Sequence, residues 1–295
     1  QQGCLEVLFK NEPIRCLVNP TLGFEYKDEL KKAEKSKKVT VVGAGPAGLE
    51  AARAAALAGH DVTLYEKTDR FGGQFTTAAI PPVKGDLAAY VSCAAKQLEK
   101  LGVDIRMNTE YTAELCDREK PDKVIVATGA AHSRPSIPGI DGSNVVTATD
   151  VLWGRAFAGQ KVVVAGGGMI GSEKATYLAS LGKQVTIVEM LPAVASDEEF
   201  TRRVLMMKMF EEQRVNVMTN TKITRITDTG VQVETGPDTM EIEGDTVVLA
   251  LGMTPEKGLV EELKGKAEVV VVGDAVEARN ALEATREGFL AGVGA

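Results

Sequence analysis

The chain has 295 residues, of which 44% are hydrophobic and 25% charged, so it is long and apolar enough for two domains with sizeable cores. Its net charge of −7 argues against a nucleic-acid partner, and it contains neither a secretory signal nor an apolar run near the roughly 18 residues of a membrane span. Four cysteines and two histidines do not indicate a secreted disulfide scaffold, so we expect a cytoplasmic protein with no membrane partner.

The amino-terminal region, residues 1–27, differs in composition from the rest of the chain. It holds two cysteines and two prolines, and a charged run from Lys27 to Lys38 follows it. Such a run is typical of a solvated linker or helix face and marks a boundary. Because the chain starts with Gln1 rather than Met, we expect it to be a piece of a longer protein.

The first unit of secondary structure has the order strand, helix, strand. A fully apolar strand is predicted at Val39–Val42, a glycine-rich turn at Gly43–Gly48, a helix that ends near Ala58, and a second strand at Val62–Tyr65. A helix at Asp86–Leu101 and strands near 103–107 and 123–127 follow. The histidines, His60 and His132, lie in turn-like segments and are interpreted as solvated, without a catalytic role.

A second unit repeats this plan. It comprises a strand at Lys161–Ala165, a glycine-rich turn, a helix that ends near Leu181, and a strand at Val185–Val188. A further helix is predicted with Phe200, Val204, Met207 and Phe210 directed inward. A strand at Val269–Val272 and a closing helix at Leu282–Gly292 return the chain to the first unit.

The pattern predicts an α/β protein with two Rossmann-like, three-layer domains built on parallel sheets, the second inserted into the first. The predicted divisions are a tail and linker at 1–27, a first domain at 28–146, a second domain at 147–265, and a return segment of the first domain at 266–295.

A constant spacing of 123 residues relates the two units. Gly43, Gly45 and Gly48 recur as Gly166, Gly168 and Gly171, and Glu66 recurs as Glu189. In a G-x-G-x-x-G turn the first glycine permits the tight turn, the second lets a pyrophosphate approach, and the third lets helix and strand pack closely. Each acid follows the last glycine of its turn by 18 residues, the position of a ribose ligand. The repeat therefore predicts two dinucleotide sites.

Glu189 bears on the choice of nucleotide. A carboxylate at that position repels a ribose 2′-phosphate and accepts a hydrogen bond from a free 2′-hydroxyl. We therefore expect NADH rather than NADPH at the second site, although Lys183 and Arg202 or Arg203 lie near enough in the sequence to weaken the preference.

Several motifs resemble those of the flavoproteins with two dinucleotide-binding domains. Residues 41–67 are similar to their FAD fingerprint, Ala127-Thr128-Gly129 to their ATG motif, Val272-Gly273-Asp274-Ala275 to their late GD motif, and Gly166–Glu173 to their NAD(P)H motif. The resemblance implies an FAD site and an NAD(P)H site, and it covers residues 39–295.

A narrower resemblance involves the 2,4-dienoyl-CoA reductase/NADH:flavin oxidoreductase family, which comprises iron–sulfur flavoenzymes related to old yellow enzyme. Cys4 and the run Cys16–Pro20 are similar to the last two cluster cysteines of that family, and the segment Phe71–Phe75 also resembles it. The family places an FMN-containing barrel first, then a [4Fe–4S] cluster, then an FAD/NAD(P)H module. This chain resembles that last module.

The resemblance and the turns together assign site residues. Those assigned to FAD are Gly43, Gly45, Pro46, Ala47, Gly48, Glu66, Lys67, Gly73, Gln74, Tyr111, Ala127, Thr128, Gly129, Gly273, Asp274 and Leu282. Those assigned to NAD are Gly166, Gly168, Met169, Ile170, Gly171, Glu189 and Gly252. Cys4 and Cys16 are assigned as iron–sulfur ligands in the full-length enzyme only, because a cluster normally needs four thiolates. Cys93 and Cys116 are interpreted as ordinary thiols.

Glu173 has two interpretations. By resemblance it lies near the nicotinamide and the flavin, which would make it the catalytic residue. Alternatively, it is an acid in the first turn of a helix, where it stabilises the helix dipole.

The sequence thus predicts an NAD(P)H-dependent flavoprotein oxidoreductase that passes a hydride from NADH to FAD. The resemblance implies that electrons then reach an FMN barrel, absent from this chain, through a [4Fe–4S] cluster and reduce an ene or enoyl substrate. Two alternatives are a structural module with ADP in the first site and no turnover, and a free-standing NAD(P)H:acceptor reductase.

Overall fold

A computed structural model describes residues 3–8, 11–27, 29–82 and 84–295. Contacts divide the chain into two compact units, one formed by Gln1–Ala131 with Thr254–Ala295 and the other by His132–Met253. The second unit is therefore inserted into the first, as the order of the predicted elements indicated.

The helices and strands follow in chain order. Up to residue 131 they are α1 (Leu5–Leu8), β1 (Lys38–Val42), α2 (Pro46–Ala58), β2 (Asp61–Tyr65), α3 (Gln74–Ala78), α4 (Gly85–Lys100), β3 (Asp104–Arg106), α5 (Ala113–Glu119), β4 (Lys123–Val126) and the start of β5 (Ala130–His132). The next are β6 (Val145–Thr147), α6 (Ala148–Leu152), β7 (Lys161–Ala165), α7 (Met169–Ser180), β8 (Gln184–Val188), α8 (Phe200–Glu212), β9 (Asn216–Met218), β10 (Thr221–Thr227), β11 (Gly230–Thr235), β12 (Asp238–Glu243) and β13 (Thr246–Leu249). The last are β14 (Met253–Pro255), α9 (Gly258–Glu262), β15 (Glu268–Val271), a 3₁₀ turn (Gly273–Ala275) and α10 (Ala281–Val293).

Each unit contains a five-stranded parallel sheet with the same internal order. The first is β15-β4-β1-β2-β3 and the second is β6-β13-β7-β8-β9. β1 and β7, the strands that precede the glycine-rich turns, therefore occupy the middle of their sheets. The second unit adds the antiparallel sheet β10-β11-β12. The repeated order agrees with the predicted Rossmann-like architecture.

The unit boundaries fall earlier in the chain than the predicted divisions after residues 146 and 265. Ile137 and Ile140 pack into the core of the second unit beside β10 and β11. Leu259 and Leu263 pack into a core of the first unit that also contains Tyr65. Apolar packing on either side of the divisions, which the motif spacing did not reveal, places these segments.

The inward face of α8 was predicted incorrectly. Met206 and Phe210 are buried, but Phe200 and Val204 are 75% and 55% exposed. Only the carboxyl-terminal half of α8 reaches the core that contains α7 and β8. The prediction that both histidines are solvated was also wrong for His60, which is 8% exposed and accepts a hydrogen bond at Nδ1 from the amide of Lys37.

Candidate dinucleotide sites

The first glycine-rich turn joins β1 to α2. Gly43 has φ +102°, and a Cβ on it would lie 2.4 Å from the carbonyl oxygen of Ala127. A Cβ on Gly48 would lie 1.8 Å from the carbonyl oxygen of Gly43. Both contacts are with backbone atoms, which cannot move aside as a flexible side chain can. The fold itself therefore requires glycine at these two positions.

No such close contact requires a glycine at Gly45. Apart from Gly45 itself and its two chain neighbours, no atom of the described residues lies within 4 Å of the position that its Cβ would occupy. Gly45 is the N-cap residue of α2 and has no side chain with which to cap the helix, and Pro46 at the first helical position has no amide hydrogen. An open space beside the amino end of a helix is suited to a pyrophosphate, because the amides and the helix dipole favour an anion. Pro46, Ala47 and Gly48 form the first turn of that helix.

Glu66, which follows β2, stabilises this turn through hydrogen bonds. It is 9% exposed, and its Oε2 accepts a hydrogen bond from the amide of Ala44 at 2.8 Å. Its Oε1 accepts from the amide and the hydroxyl of Thr68, both at 2.8 Å. A carboxylate has about four acceptor positions, so about one remains for a ribose hydroxyl. The adjacent Lys67 pairs at 3.5 Å with Glu256, and both side chains are exposed.

The segment Ala127-Thr128-Gly129 is tied to the returning chain. The Thr128 hydroxyl donates to the carbonyl of Glu256 at 3.0 Å, and the Glu256 amide donates to the carbonyl of Gly129 at 3.0 Å. The exposed Gln74, the first residue of α3, donates from Nε2 to the carbonyl of Ala130 at 3.1 Å. Gly73, which precedes it with φ +50°, lies against Gly45, since its Cβ position is 3.4 Å from the Gly45 Cα.

The GD segment is held by two residues, Arg279 and Glu287, that no sequence motif indicates. The Gly273 amide donates to Oε2 of Glu287 in α10 at 2.7 Å, and Glu287 also pairs with Arg279. The Arg279 amide donates to Asp274 at 3.2 Å, while burial raises the pKa of the Asp274 carboxyl. Leu282 is 3% exposed. The Gly273–Glu287 contact joins a turn to a helix, and no local pattern in the sequence indicates it.

Tyr111 lies in the core. Its side chain is 4% exposed, and its ring lies 4.9 Å from that of Tyr65. The Tyr111 hydroxyl is buried, and no hydrogen-bond partner is found for it among the described residues. Its side chain therefore packs inside the first unit, and only its backbone is left to serve the assigned FAD contact.

The second glycine-rich turn, between β7 and α7, repeats the backbone geometry of the first. Gly166 has φ +101°, its Cβ would lie 2.4 Å from the carbonyl oxygen of Ala250, and a Cβ on Gly171 would lie 2.0 Å from that of Gly166. Gly252, further along the segment after β13, has φ +92° and accepts a hydrogen bond from the Ser133 amide at 3.0 Å.

Glu189 corresponds to Glu66 but makes fewer contacts. It is 7% exposed; Oε2 accepts from the amide of Gly167 at 2.6 Å, and Oε1 accepts from the amide of Leu191 at 2.8 Å. About two of its four acceptor positions remain unused by the described residues. The carboxylate is thus fixed by the same kind of backbone contact as Glu66.

The start of α7 differs from the start of α2, because its first residue, Met169, has the amide hydrogen that Pro46 lacks. The amide of Met169 donates to both carboxylate oxygens of Asp197, at 2.9 and 3.2 Å. A Cβ on Gly168 would lie 3.7 Å from Oδ2 of the same residue. Ile170 and Gly171 continue the helix. Asp197 could not be identified from the sequence, because nothing in the loop after β8 indicates that its acid turns back to α7.

Glu173 forms an ion pair. Its Oε1 lies 2.9 Å from Nη2 of Arg202, and that nitrogen is 3.4 Å from Oε2 of Glu198. Burial raises the pKa of the Glu198 carboxyl. Glu173 lies beyond the first turn of α7, which contains no acid, so the helix-dipole interpretation was wrong. Its role beside a nicotinamide stays a prediction.

The cysteine segment packs on α10. The Arg15 amide donates to the Gly3 carbonyl at 2.7 Å, so the residues next to Cys4 and Cys16 are hydrogen-bonded to each other. A Cβ on Gly3 would lie 2.8 Å from Cδ2 of Leu282.

Two further contacts secure this segment. Arg15 pairs with Glu283 at 2.9 Å, and the Arg286 guanidinium lies 4.5 Å from the ring centre of Phe24. Cys4 and Cys93 are exposed, Cys16 is half-buried and Cys116 is buried, and none of these four described residues forms a disulfide. In the described ranges, no group of three or more histidine, cysteine, aspartate or glutamate side chains could hold a metal ion.

Family models match both parts of the chain. Residues 41–105 match the NAD(P)-binding Rossmann-like domain, and residues 114–274, more than half of the chain, match the pyridine nucleotide-disulphide oxidoreductase model. The chain belongs to the pyridine nucleotide-disulphide oxidoreductase family. The predicted class, an NAD(P)H-dependent flavoprotein oxidoreductase, is thereby confirmed, and FAD and NAD(P)H are the cofactors that the family implies.

Individual relatives place this oxidoreductase more narrowly. It is 37% identical to the bilirubin reductase of Mediterraneibacter gnavus, with 98% of the chain aligned to 46% of that protein. It is 39% identical to the NADH oxidase of Thermoanaerobacter brockii (97% and 46%) and 36% identical to the cinnamate reductase of Clostridium sporogenes (96% and 43%). The chain thus spans slightly less than half the length of these relatives.

A solved structure of 2-naphthoyl-CoA reductase with 2-naphthoyl-CoA matches with a TM-score of 0.94 and 37% identity, over 99% of the chain and 45% of that protein. The resemblance to the 2,4-dienoyl-CoA reductase/NADH:flavin oxidoreductase family is confirmed by these matches. Among the described residues, the oxidoreductase has no helix with the length and apolar character of a membrane span.

Proposed function

We propose that the chain binds FAD at the first glycine-rich turn and NADH at the second. The observation that carries this proposal is the repetition of one geometry: Glu66 and Glu189 each fix the turn before them through a backbone amide. When both nucleotides are bound, NADH supplies a hydride and FAD accepts it. The work of the protein is to bind and orient the two cofactors.

The proposed FAD site uses the open space at Gly45 for the pyrophosphate and the remaining acceptor position of Glu66 for the ribose. Asp274, kept in place by Arg279, would accept a hydrogen bond from the ribityl chain or lie near the phosphate. Gly73, Gln74 and the segment Ala127–Gly129 would line the same site, with Leu282 at the start of α10.

The proposed NAD site uses the start of α7 for the pyrophosphate and the two remaining acceptor positions of Glu189 for the ribose hydroxyls. A 2′-phosphate would meet a buried carboxylate, so NADH is preferred to NADPH. Glu173, fixed by Arg202, would lie beside the nicotinamide.

We further propose an electron path through the cysteine segment. The packing of Gly3 on Leu282 supports it, because a residue adjacent to Cys4 touches a residue of the proposed flavin site. Cys4 and Cys16 would supply two of four thiolates of a [4Fe–4S] cluster in the full-length enzyme, with an FMN barrel beyond it. The bilirubin, cinnamate and 2-naphthoyl-CoA reductases that the chain resembles support an ene or enoyl substrate. Four described cysteines without a disulfide fit a reducing, cytoplasmic setting.

Anaerobic titration of the purified chain tests the proposal. We expect a yellow protein whose flavin absorbance falls on addition of NADH and falls less readily with NADPH. A colourless protein that retains ADP would favour the structural module instead. Reduction of external acceptors without any gain when the barrel and the two missing cysteines are added would favour a free-standing NAD(P)H:acceptor reductase.

A further inference from the structure

The loop between β8 and α8 places an acid where the second dinucleotide would bind. Asp197 accepts the Met169 amide at 2.9 Å through Oδ1 and 3.2 Å through Oδ2. Met169 is the first residue of α7, so this amide is among those that the helix does not use internally. The carboxylate therefore occupies the donor that a pyrophosphate at this turn would need.

A carboxylate and a pyrophosphate cannot share that position at low cost. Both are anions attracted by the same amide and by the positive end of the same helix dipole. Two negative groups at hydrogen-bond distance from one donor also repel each other, and solvent weakens this repulsion only in part because the groups are so close, although Asp197 is exposed. Binding of the dinucleotide therefore requires Asp197 to move away.

The loop is held on the turn by several contacts on both sides of Asp197. The Ala195 amide donates to the carbonyl of Gly167 at 2.7 Å, and Ala195 adopts φ +48°, a strained conformation for a residue with a Cβ. Arg203 donates from Nε to the carbonyl of Val194 at 3.1 Å.

On the other side, Arg202 connects Glu198, the next residue, to Glu173 of α7. Oε2 of Glu198 is buried and accepts no hydrogen bond from the described residues, although it lies 3.4 Å from Arg202. The strained residue and the buried acid indicate a segment that is held in place rather than one lying loosely on the surface.

We propose that residues 194–199 form an acidic latch on the NAD site, in which Asp197 substitutes for the pyrophosphate until the dinucleotide displaces it. The inference rests on the proposed function, since it concerns access to the proposed NAD site. Its consequence is that the wild-type chain binds NADH more weakly than the turn geometry alone would allow. Affinity then depends on the loop as well as on Glu189.

Calorimetric titration of the FAD-saturated chain with NAD⁺ measures the effect. Asp197→Asn keeps the shape of the side chain and removes its charge, so we expect the Kd to fall at least about fivefold, because a neutral acceptor competes less well for the amide. Asp197→Ala removes the acceptor too and should lower the Kd further. Asp228→Asn, an equal charge change at an exposed position in the β10–β11 turn, should leave the Kd unchanged.

Other outcomes overturn the latch. If the wild type binds NAD⁺ and both Asp197 variants bind it equally or more weakly, the latch is wrong and the proposed function stands. If the variants also melt at lower temperature, Asp197 is only a helix cap. If neither the wild type nor the variants bind NAD⁺, the latch and the proposed NAD site are both wrong.

A measurement on the wild-type chain avoids any folding defect of the variants. Saturating NAD⁺ should increase hydrogen exchange at the Ala195 amide, which donates to the Gly167 carbonyl, because the segment leaves the turn. Unchanged exchange there would contradict the latch.

Discussion

The two glycine-rich turns have the same backbone but differ in what lies at the start of the helix that follows. At the first turn, α2 begins with Pro46, which has no amide hydrogen to donate, and apart from the chain neighbours no described atom lies within 4 Å of the Cβ position of Gly45. At the second turn, Asp197 takes the first amide of α7. The repeated motif therefore fixes the geometry of a nucleotide site, while the loop outside the motif sets its accessibility.

The two carboxylates that hydrogen-bond to the turns, those of Glu66 and Glu189, also differ between the two sites. Glu66 accepts three hydrogen bonds from described residues, whereas Glu189 accepts two. The first site holds its carboxylate more firmly and has open space at Gly45, which suits a cofactor that stays bound. The second has a less engaged carboxylate and a displaceable acid, which suits a nucleotide that binds and leaves at each turnover.

The largest expected effect separates glycines required by the fold from those required by a ligand. Gly48→Ala puts a Cβ 1.8 Å from the Gly43 carbonyl oxygen, so we expect a loss of at least about 2 kcal/mol in the free energy of unfolding and loss of the flavin. Gly45→Ala should leave the fold unchanged and weaken the binding of FAD at least about tenfold. Denaturation and flavin content measure both.

The equivalent pair in the second unit tests whether the turns are equivalent. Gly171→Ala should destabilise the fold as Gly48→Ala does, because its Cβ would lie 2.0 Å from the Gly166 carbonyl oxygen. Gly168→Ala should leave the flavin content unchanged and weaken the binding of NAD⁺. Normal stability in Gly48→Ala and Gly171→Ala would refute the close packing on which the comparison depends.

A smaller effect is expected at Glu189. Glu189→Ala removes an acceptor for ribose hydroxyls, so NADH should bind about tenfold more weakly in rapid-mixing measurements of flavin reduction. The affinity for NADPH should fall less than the affinity for NADH, because the carboxylate repels the 2′-phosphate of NADPH in the wild type. Equal losses for both nucleotides would reject the assignment.

Glu189→Ala also leaves the amides of Gly167 and Leu191 without their acceptor. Glu189→Gln retains one neutral acceptor and serves as the control for that damage. Glu66→Gln in the first unit should lower flavin content while the NAD⁺ affinity stays as in the wild type.

The sequence predicted the elements around the turns well, for a physical reason. Short apolar strands, glycine turns and alanine-rich helices are local patterns, and β7 was predicted at its observed bounds, Lys161–Ala165. The inward face of α8 was predicted incorrectly at Phe200 and Val204, because periodicity shows which residues share a face but not how much of the helix a core covers.

Contacts between segments that are distant in the sequence could not be predicted from local patterns. Asp197 reaches Met169 across 28 residues, and Glu287 reaches Gly273 from a helix to a turn. The burial of Tyr111 depends on packing with Tyr65, which no motif encodes. Motif spacing thus located the two turns, whereas the groups that regulate or brace them depend on the three-dimensional arrangement.

The smallest expected effect is the pH dependence of stability that the histidine of each unit contributes. Burial lowers the pKa of both His60, in the first unit, and His132, in the second. A histidine with a lowered pKa stabilises the fold above its unfolded pKa of about 6.5, and that stability is lost as the pH falls through the folded value. Melting temperatures should therefore fall by a few degrees between neutral and acidic pH.

His60 should account for more of this loss than His132. Protonation of His60 converts Nδ1, which accepts the Lys37 amide at 3.1 Å, into a donor, and its Nε2 is buried with no partner among the described residues. Nε2 of His132 lies 2.8 Å from the Thr149 hydroxyl, which can accept as well as donate, so that contact survives protonation. His60→Gln should flatten the acid dependence of the melting temperature more than His132→Gln. The reverse order would show that the second unit, rather than the first, fails first in acid.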